Sequence, residues 1–417
     1  YLTPFPRPRW FRRWGGVVLQ LSQTGQSSIL NFPVTRGWMI GALFALVLLT
    51  YSPAMMAGFI WDDDDYVTKN VELQTAAGLA RIWFEPGATP QYYPLVFTTF
   101  WVEYQLWGLN PAGFHFVNIL LHAVNAVLLF LALRMLQVPG AFFAAAFFAV
   151  TPVHVESVAW ISERKNVLSG MFYLTAFLAY WRFVSWHEKG DAPRAAGRWG
   201  SYFLSLVLFG CALMSKSVTC SLPAAILLVL WWKKGRLTLR SVIPLLPMFA
   251  IGIAAGVNTI LMERDHVGAQ GIEWNWSWLE RVLIAGRVLW FYACKLAWPQ
   301  PLVFIYPKWQ IDGTVWWQYL FVLSFLAVVV SLWLARQRLG RGPLVAVLFF
   351  AGTLFPALGF IDVYPMRYSF VADHFQYLAS IGVISLIAAA GATVASKLHW
   401  HPLWSGLCVA AVLIVFV

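Results

Sequence analysis

Residues 37–66 read GWMIGALFALVLLTYSPAMMAGFIWDDDDY, a long apolar run that ends on four consecutive aspartates, Asp62, Asp63, Asp64 and Asp65. A run of about 20 apolar residues spans the hydrocarbon core of a bilayer as a helix. The four carboxylates at its end repel one another and lose solvation near lipid. Such a run is either a solvated acidic turn or the polar centre of a site at the membrane surface. The rest of the chain has to decide between these.

The apolar pattern recurs along all 417 residues, 60% of which are hydrophobic and 11% charged, with a mean hydropathy of +0.67. This predicts an all-α polytopic membrane protein. Candidate spans fall near 38–60, 112–134, 140–160, 166–186, 200–215, 217–232, 241–261, 316–335, 343–361, 375–396 and 401–417. A twelfth apolar stretch, 278–298, is ambiguous because it carries Arg281, Arg287 and Lys295. If it spans, the basic loop 336–341 falls on the outer side, against the positive-inside rule. Embedded on the outer side instead, it leaves about eleven spans with the N-terminus inside. In that arrangement 18 of the 29 Lys and Arg are cytoplasmic, and 16 of the 18 Asp and Glu lie outside. The polar chemistry is therefore expected on the outer face.

The domain organisation follows. Residues 1–37 form a basic cytoplasmic N-terminal segment (Arg7, Arg9, Arg12, Arg13, Arg36), and 38–417 form the membrane domain. Its long first outer loop, 61–111, carries amphipathic stretches, and the outer loop 262–315 contains the embedded helix. The net charge of +11 sits in short loops between spans, which excludes nucleic acid as its reason. Cys211, Cys220, Cys294 and Cys408 lie in apolar segments without metal-ligand spacing and read as small core residues. No cleavable leader pattern and no internal repeat appears.

Several constellations can carry chemistry on the outer face. His115, Asn118 and His122 fall on one face of the second span, either as a seam that hydrogen-bonds neighbouring helices or as the lining of a cavity. His154 and Glu156, then Glu163 and Arg164, gather at the outer end of one hairpin, as an exposed turn or as further lining. Lys216 interrupts two apolar runs, where it snorkels to the interface or holds an anion. Three cations on the embedded segment with few acids nearby want an anion, and Arg287, beside Gly286 and aromatics, is the best phosphate ligand among them. Arg367, Asp373 and His374 precede the tenth span, where the last two either cap a helix or close the cavity.

The order of these motifs resembles a known family. Trp61-Asp62-Asp63 after the first span, Gly113 to Asn118 with His122, Pro152 to Val158, Arg287 to Pro299 and Val371 to Leu378 look like the GT-C glycosyltransferases. The closest group is the transmembrane and tetratricopeptide-repeat O-mannosyltransferases and their bacterial relatives, over most of residues 38–390. The resemblance implies a GT-C-like bundle with a lumenal or periplasmic site, a polyprenyl-phosphate-linked sugar as donor and inverting transfer to a protein hydroxyl. It places the paired acids on Asp62 and Asp63, with Asp64 and Asp65 as solvated neighbours. Arg287, Lys216, Lys295 and Arg164 are then expected at the donor phosphate, with His115, Asn118, His122, His154, Glu156, Glu163, Arg367, Asp373 and His374 lining the cavity. His374 departs from the family, whose members often carry Arg there. No cofactor is implied; four Asp offer oxygen ligands to a divalent metal, but the resemblance calls for none. The tetratricopeptide domain is absent from this sequence and is expected beyond Val417. The expected partners are the bilayer, the lipid-linked donor, a protein acceptor and other subunits of a membrane complex. The expected location is a bacterial inner membrane, with the endoplasmic reticulum membrane as the alternative. Rival readings are a transferase acting on a lipid or glycan, a non-catalytic subunit, and a transporter of anionic lipid.

Overall fold

The structure, a computed structural model, describes residues 37–188 and 195–399. The chain falls into two compact units, Tyr1–Ala42 and Leu43–Val417, and the packing described below lies in the second. All regular structure among the described residues is helical. In chain order the helices are α1 (Gly37–Tyr51), α2 (Ala76–Phe84), α3 (Pro94–Trp107), α4 (Pro111–Met135), α5 (Ala141–Val150), α6 (Val155–Ala159), α7 (Arg164–Glu188), α8 (Ala195–Leu213), α9 (Leu222–Lys234), α10 (Leu246–Met262), α11 (Trp278–Ala297), α12 (Tyr319–Ala335), α13 (Gly342–Leu354) and α14 (Ser380–Lys397).

Local sequence sets the ends of these helices. Asn110 caps α4 by accepting from the Ala112 N–H at 3.1 Å, with Pro111 at the first position, where a missing N–H costs nothing. Ser277 and Glu280 form a reciprocal capping box that opens α11. Gly140 begins α5 at φ +70°, and a Cβ there would lie 2.7 Å from the Ala388 carbonyl oxygen, so only glycine lets α5 approach α14 this closely.

Packing runs from α8 to α7, α7 to α4, α4 to α5, α5 to α14, α14 to α13, and α13 to α9 and α12. Helix α12 packs on α11 and buries no side chain. Its Leu323, Leu326, Val330 and Leu334 are exposed, an apolar face that needs a lipid solvent. This is an integral membrane protein. Among the described residues, six helices are long and apolar enough to cross a bilayer, or seven if α5 and α6, bent by 56°, count as one span. A helix lies at each of the first ten positions read from the sequence, but α8, α9 and α13 fall short of that test. The eleventh position, 401–417, and most of the N-terminal segment, 1–37, lie outside the described residues.

The first loop folds into a layer of its own. Tyr66, Leu73, Ile82, Val96, Phe97 and Phe100 from the loop pack against Phe114 of α4 and Ile161 and Leu168 beside the start of α7. Beneath that layer lies Arg164, fully buried. Its guanidinium makes a bidentate pair with Glu103 and donates to Thr99 Oγ1 at 3.2 Å, to the Phe114 carbonyl at 2.9 Å and to Asn118 Oδ1. All five N–H groups are used, and the cation lies 5.0 Å over the Phe100 ring. One residue thereby joins α3, α4 and α7.

Removing one partner of such a pair leaves an uncompensated buried charge, at a cost of about 3–5 kcal/mol. Glu103→Ala is expected to lower the thermal unfolding midpoint in detergent markedly. Lys69→Ala, which breaks only the exposed pair to Asp64 (2.7 Å), should leave it within error.

Candidate active site

The four aspartates have four different environments. Trp61, at φ +47°, turns the chain in the segment that follows α1. Asp63 then folds back, fully buried, and accepts from the Ile60 N–H at 3.0 Å and the Ser162 N–H at 2.8 Å. Burial pushes its carboxyl above the usual carboxylate range, while these two N–H groups pull it down. Asp64 is on the surface, held by Lys69 and Thr68, whose hydrogen bonds lower its carboxyl. Asp65 is exposed. Asp62 is half-buried, and its carboxylate makes no hydrogen bond or ion pair to any described residue. Burial raises its carboxyl, and the Lys165 ammonium opposes that rise.

Facing Asp62 is a charged cluster built on the turn before α7. Glu163, buried, pairs with Lys165 Nζ at 2.9 Å and Lys216 Nζ at 3.6 Å, and accepts from Asn166 Nδ2 at 2.5 Å. Lys216 also donates to Asn166 Oδ1 at 2.7 Å. His374 bridges two carboxylates, with Nδ1 at 2.9 Å from Glu156 and Nε2 at 3.8 Å from Glu163. The Pro152 break between α5 and α6 is what brings Glu156 to this position. Rings of Trp61, Trp160 and Phe304 adjoin the cluster, Phe304 lying 5.6 Å from Trp61 and 4.9 Å from Trp160.

Asp373, next to His374, is buried, with Oδ2 accepting from the Tyr306 hydroxyl at 2.8 Å. Its Oδ1 has no partner among the described residues. Burial pushes this carboxyl up to about 7. Further along α11, Arg287 lies 4.3 Å over Trp309 and 6.0 Å from both Trp317 and Phe321, with no hydrogen bond or ion pair to a described residue.

Several positions differ from expectation. Arg164 has no N–H left for a phosphate, because the clamp uses all five. Lys216 is spent on Glu163 and Asn166, and Lys295 donates to the Pro301 carbonyl, so neither cation is free. Arg281 is held by Asp362 at 2.8 Å, which leaves Arg287 as the unpaired cation of α11. Arg367 pairs with Glu273 at 3.0 Å in an exposed position, not in a cavity wall. The polar seam is interior glue: Asn118 donates to the Trp160 carbonyl at 3.1 Å, and His154 meets the Phe148 carbonyl and Ser380. His122 Nε2–H donates to the Ala149 carbonyl, so its Nδ1 accepts from the Tyr377 hydroxyl at 2.8 Å. His115 is likewise buried, beside the backbone of Ala57, Gly58 and Ala159.

The sequence reading placed Lys165 with the hairpin cluster but passed over Tyr306 and a relay at Glu263. Tyr66 donates to Gln91 at 2.6 Å, Gln91 to Glu263 at 2.7 Å, and Glu263 also accepts from the Tyr364 N–H at 3.0 Å. No local pattern marks these residues, since each partner is a loop away. Among the described residues no group of His, Cys, Asp and Glu could hold a metal ion.

Fold and site together define a polytopic membrane protein with a carboxylate and cation cluster at one end of its bundle. Residues 89–260 match the family model described as dolichyl-phosphate-mannose-protein mannosyltransferase. The chain is 33% identical over 183 residues to the protein O-mannosyl-transferase Tmtc1 of Drosophila melanogaster, covering 41% of this chain and 20% of that one. It is 31% identical over 215 residues to Tmtc2 of the same organism, covering 48% and 22%. To TMTC3 of Mus musculus it is 29% identical over 184 residues, covering 42% and 19%. These matches bear out the resemblance to GT-C-type O-mannosyltransferases. The chain spans about a fifth of the length of these curated relatives. No solved structure matches. The family match contains Glu163, Lys165 and Lys216 and stops short of Asp62, Arg287 and Asp373.

Two outcomes follow. Asp63→Asn places an NH2 group against backbone N–H donors and should lower the thermal midpoint, whereas Asp62→Asn should not. Asp373 has a folded pKa near 7, above the ~3.9 of an unfolded Asp, so the folded state binds more protons between these values. Its contribution to stability is full below about pH 4 and is lost as pH rises through about 7. The midpoint of Asp373→Asn should therefore fall less than that of the parent between pH 6 and pH 8.

Proposed function

We propose that this chain is the membrane part of a glycosyltransferase that moves mannose or a similar hexose from a polyprenyl-phosphate carrier to a hydroxyl of a protein. The observation that carries this reading is Asp62, a half-buried carboxylate with no partner, raised by burial and set beside Lys165 and Glu163. A general base needs an accessible, unengaged carboxylate with elevated basicity. Asp63 supports it by fixing the turn against Ser162.

In the proposed reaction the acceptor oxygen attacks the anomeric carbon as its proton passes to Asp62. The bond from that carbon to the phosphate oxygen breaks, and its electron pair leaves with the phosphate. Attack from the face opposite the leaving group inverts the configuration. Arg287, free of internal partners, and the rim of the Lys165 cluster neutralise the phosphate charge. The protein acceptor is read from the printed activity of the relatives, and the donor from the description of the family model. The site end faces away from the cytoplasm, into a bacterial periplasm or the lumen of the endoplasmic reticulum, in a bundle of about eleven spans. No metal takes part in the proposed chemistry.

The test is transfer from a polyprenyl-phosphate-linked mannose to an acceptor peptide by purified protein. Asp62→Asn should reduce the rate by about 10²–10⁴-fold with an unchanged unfolding midpoint, and excess chelator should leave the parent rate intact. Full activity in Asp62→Asn would overturn the assignment.

A further inference from the structure

The end of the bundle opposite the candidate active site holds a cavity of about 480 Å3 that the proposed transfer does not use. Helix α7 opens at Arg164 and reaches this cavity with Tyr180 and Phe183, about 25 Å away at 1.5 Å per residue. Arg198, Lys234, Arg236 and Arg240 also line it, and none of its described lining residues is acidic. Arg198, Arg236 and Arg240 around one space repel each other unless an anion sits among them.

The cavity is built, not incidental. Arg198 is held with its guanidinium 4.9 Å over Phe183 and 5.5 Å over Trp199. Its Nε is buried without a hydrogen-bond acceptor among the described residues, and a buried N–H of this kind needs one. The Tyr202 hydroxyl donates to the Pro244 carbonyl at 2.9 Å, tying α8 to the segment that precedes α10 and fixing one wall. A volume of this size suits a small ligand or a lipid headgroup.

We propose that this cavity binds a phosphate ester, its oxygens taken by Arg198, Arg236 and Arg240 and its organic part lying against the aromatic wall. The ester belongs either to an anionic phospholipid of the adjoining leaflet or to a soluble molecule. Basic pockets between membrane helices recognise lipid headgroups by this chemistry. The site is independent of the transferase reading, since it shares no residue with the Asp62 cluster.

The experiment uses the full chain in phosphatidylcholine nanodiscs, with binding of phosphatidylglycerol and of glycerol phosphate measured separately. Parent protein should prefer phosphatidylglycerol to added phosphatidylcholine. The double substitution Arg198→Gln with Arg240→Gln should weaken that binding at least tenfold. Arg336→Gln with Arg338→Gln, which removes the same charge outside the cavity, should leave it unchanged. If the double variant does not fold, Arg240→Gln alone tests the same point at an exposed position, with several-fold weakening expected. Displacement of the lipid by millimolar glycerol phosphate assigns the site to a soluble ester, and failure to displace assigns it to the lipid. Equal weakening by both double substitutions, or no preference for the anionic lipid, would overturn the proposal, because diffuse surface charge would then explain the binding.

Discussion

The structure of the site end depends on one constraint: a fully buried guanidinium cannot be left with unused donors. Arg164 meets it by drawing Glu103 and Thr99 from α3 and Asn118 and the Phe114 carbonyl from α4 onto the first turn of α7. Everything around it inherits that fixity. Glu163 and Lys165 flank the clamp in sequence and are therefore held in place, and Ser162, one residue earlier, presents its N–H to Asp63. The turn that carries Asp62 is positioned by Asp63. Asp62 alone in this chain of contacts is left with nothing to hold, which is the condition a reacting carboxylate requires.

Charge divides the molecule along α7. At its start, carboxylates outnumber free cations: Asp62, Glu156, Glu163 and Asp373 surround Lys165, Lys216 and His374, whose bonds are largely internal. At its other end, Arg198, Arg236 and Arg240 meet around one cavity, and none of its described lining residues is acidic. The positive-inside rule applied to this asymmetry gives the orientation proposed above, with the basic end cytoplasmic. The match to the family model covers the clamp and Glu163, Lys165 and Lys216 and does not extend to Asp62 or Arg287.

Much of this was legible in the sequence. Apolar runs of spanning length gave the helices, and the tetra-Asp run after the first pointed to the candidate site. Periodicity also put His115, Asn118 and His122 on one face. It could not say that this face meets α5, the turn before α7 and the turn before α14 and not a cavity, because a hydrogen bond to the Ala149 carbonyl, the Trp160 carbonyl or the Tyr377 hydroxyl is a tertiary event. Arg164 was misread for the same reason: Glu103, which neutralises it, lies 61 residues away, and no local pattern joins them. Glu263 and Tyr306 were passed over because their partners Gln91 and Asp373 come from other loops. Charge and periodicity locate polar residues at an end of the bundle, while pairing across loops decides which of them are spent and which are free.

The most direct measurement of the central claim is a structure of this protein with a polyprenyl-phosphate-linked sugar bound. The account predicts the anomeric carbon beside Asp62, with the carrier phosphate turned toward Arg287 and the Lys165 edge of the cluster. A donor bound with its sugar away from Asp62, or with its phosphate at the opposite end of α7, would contradict it.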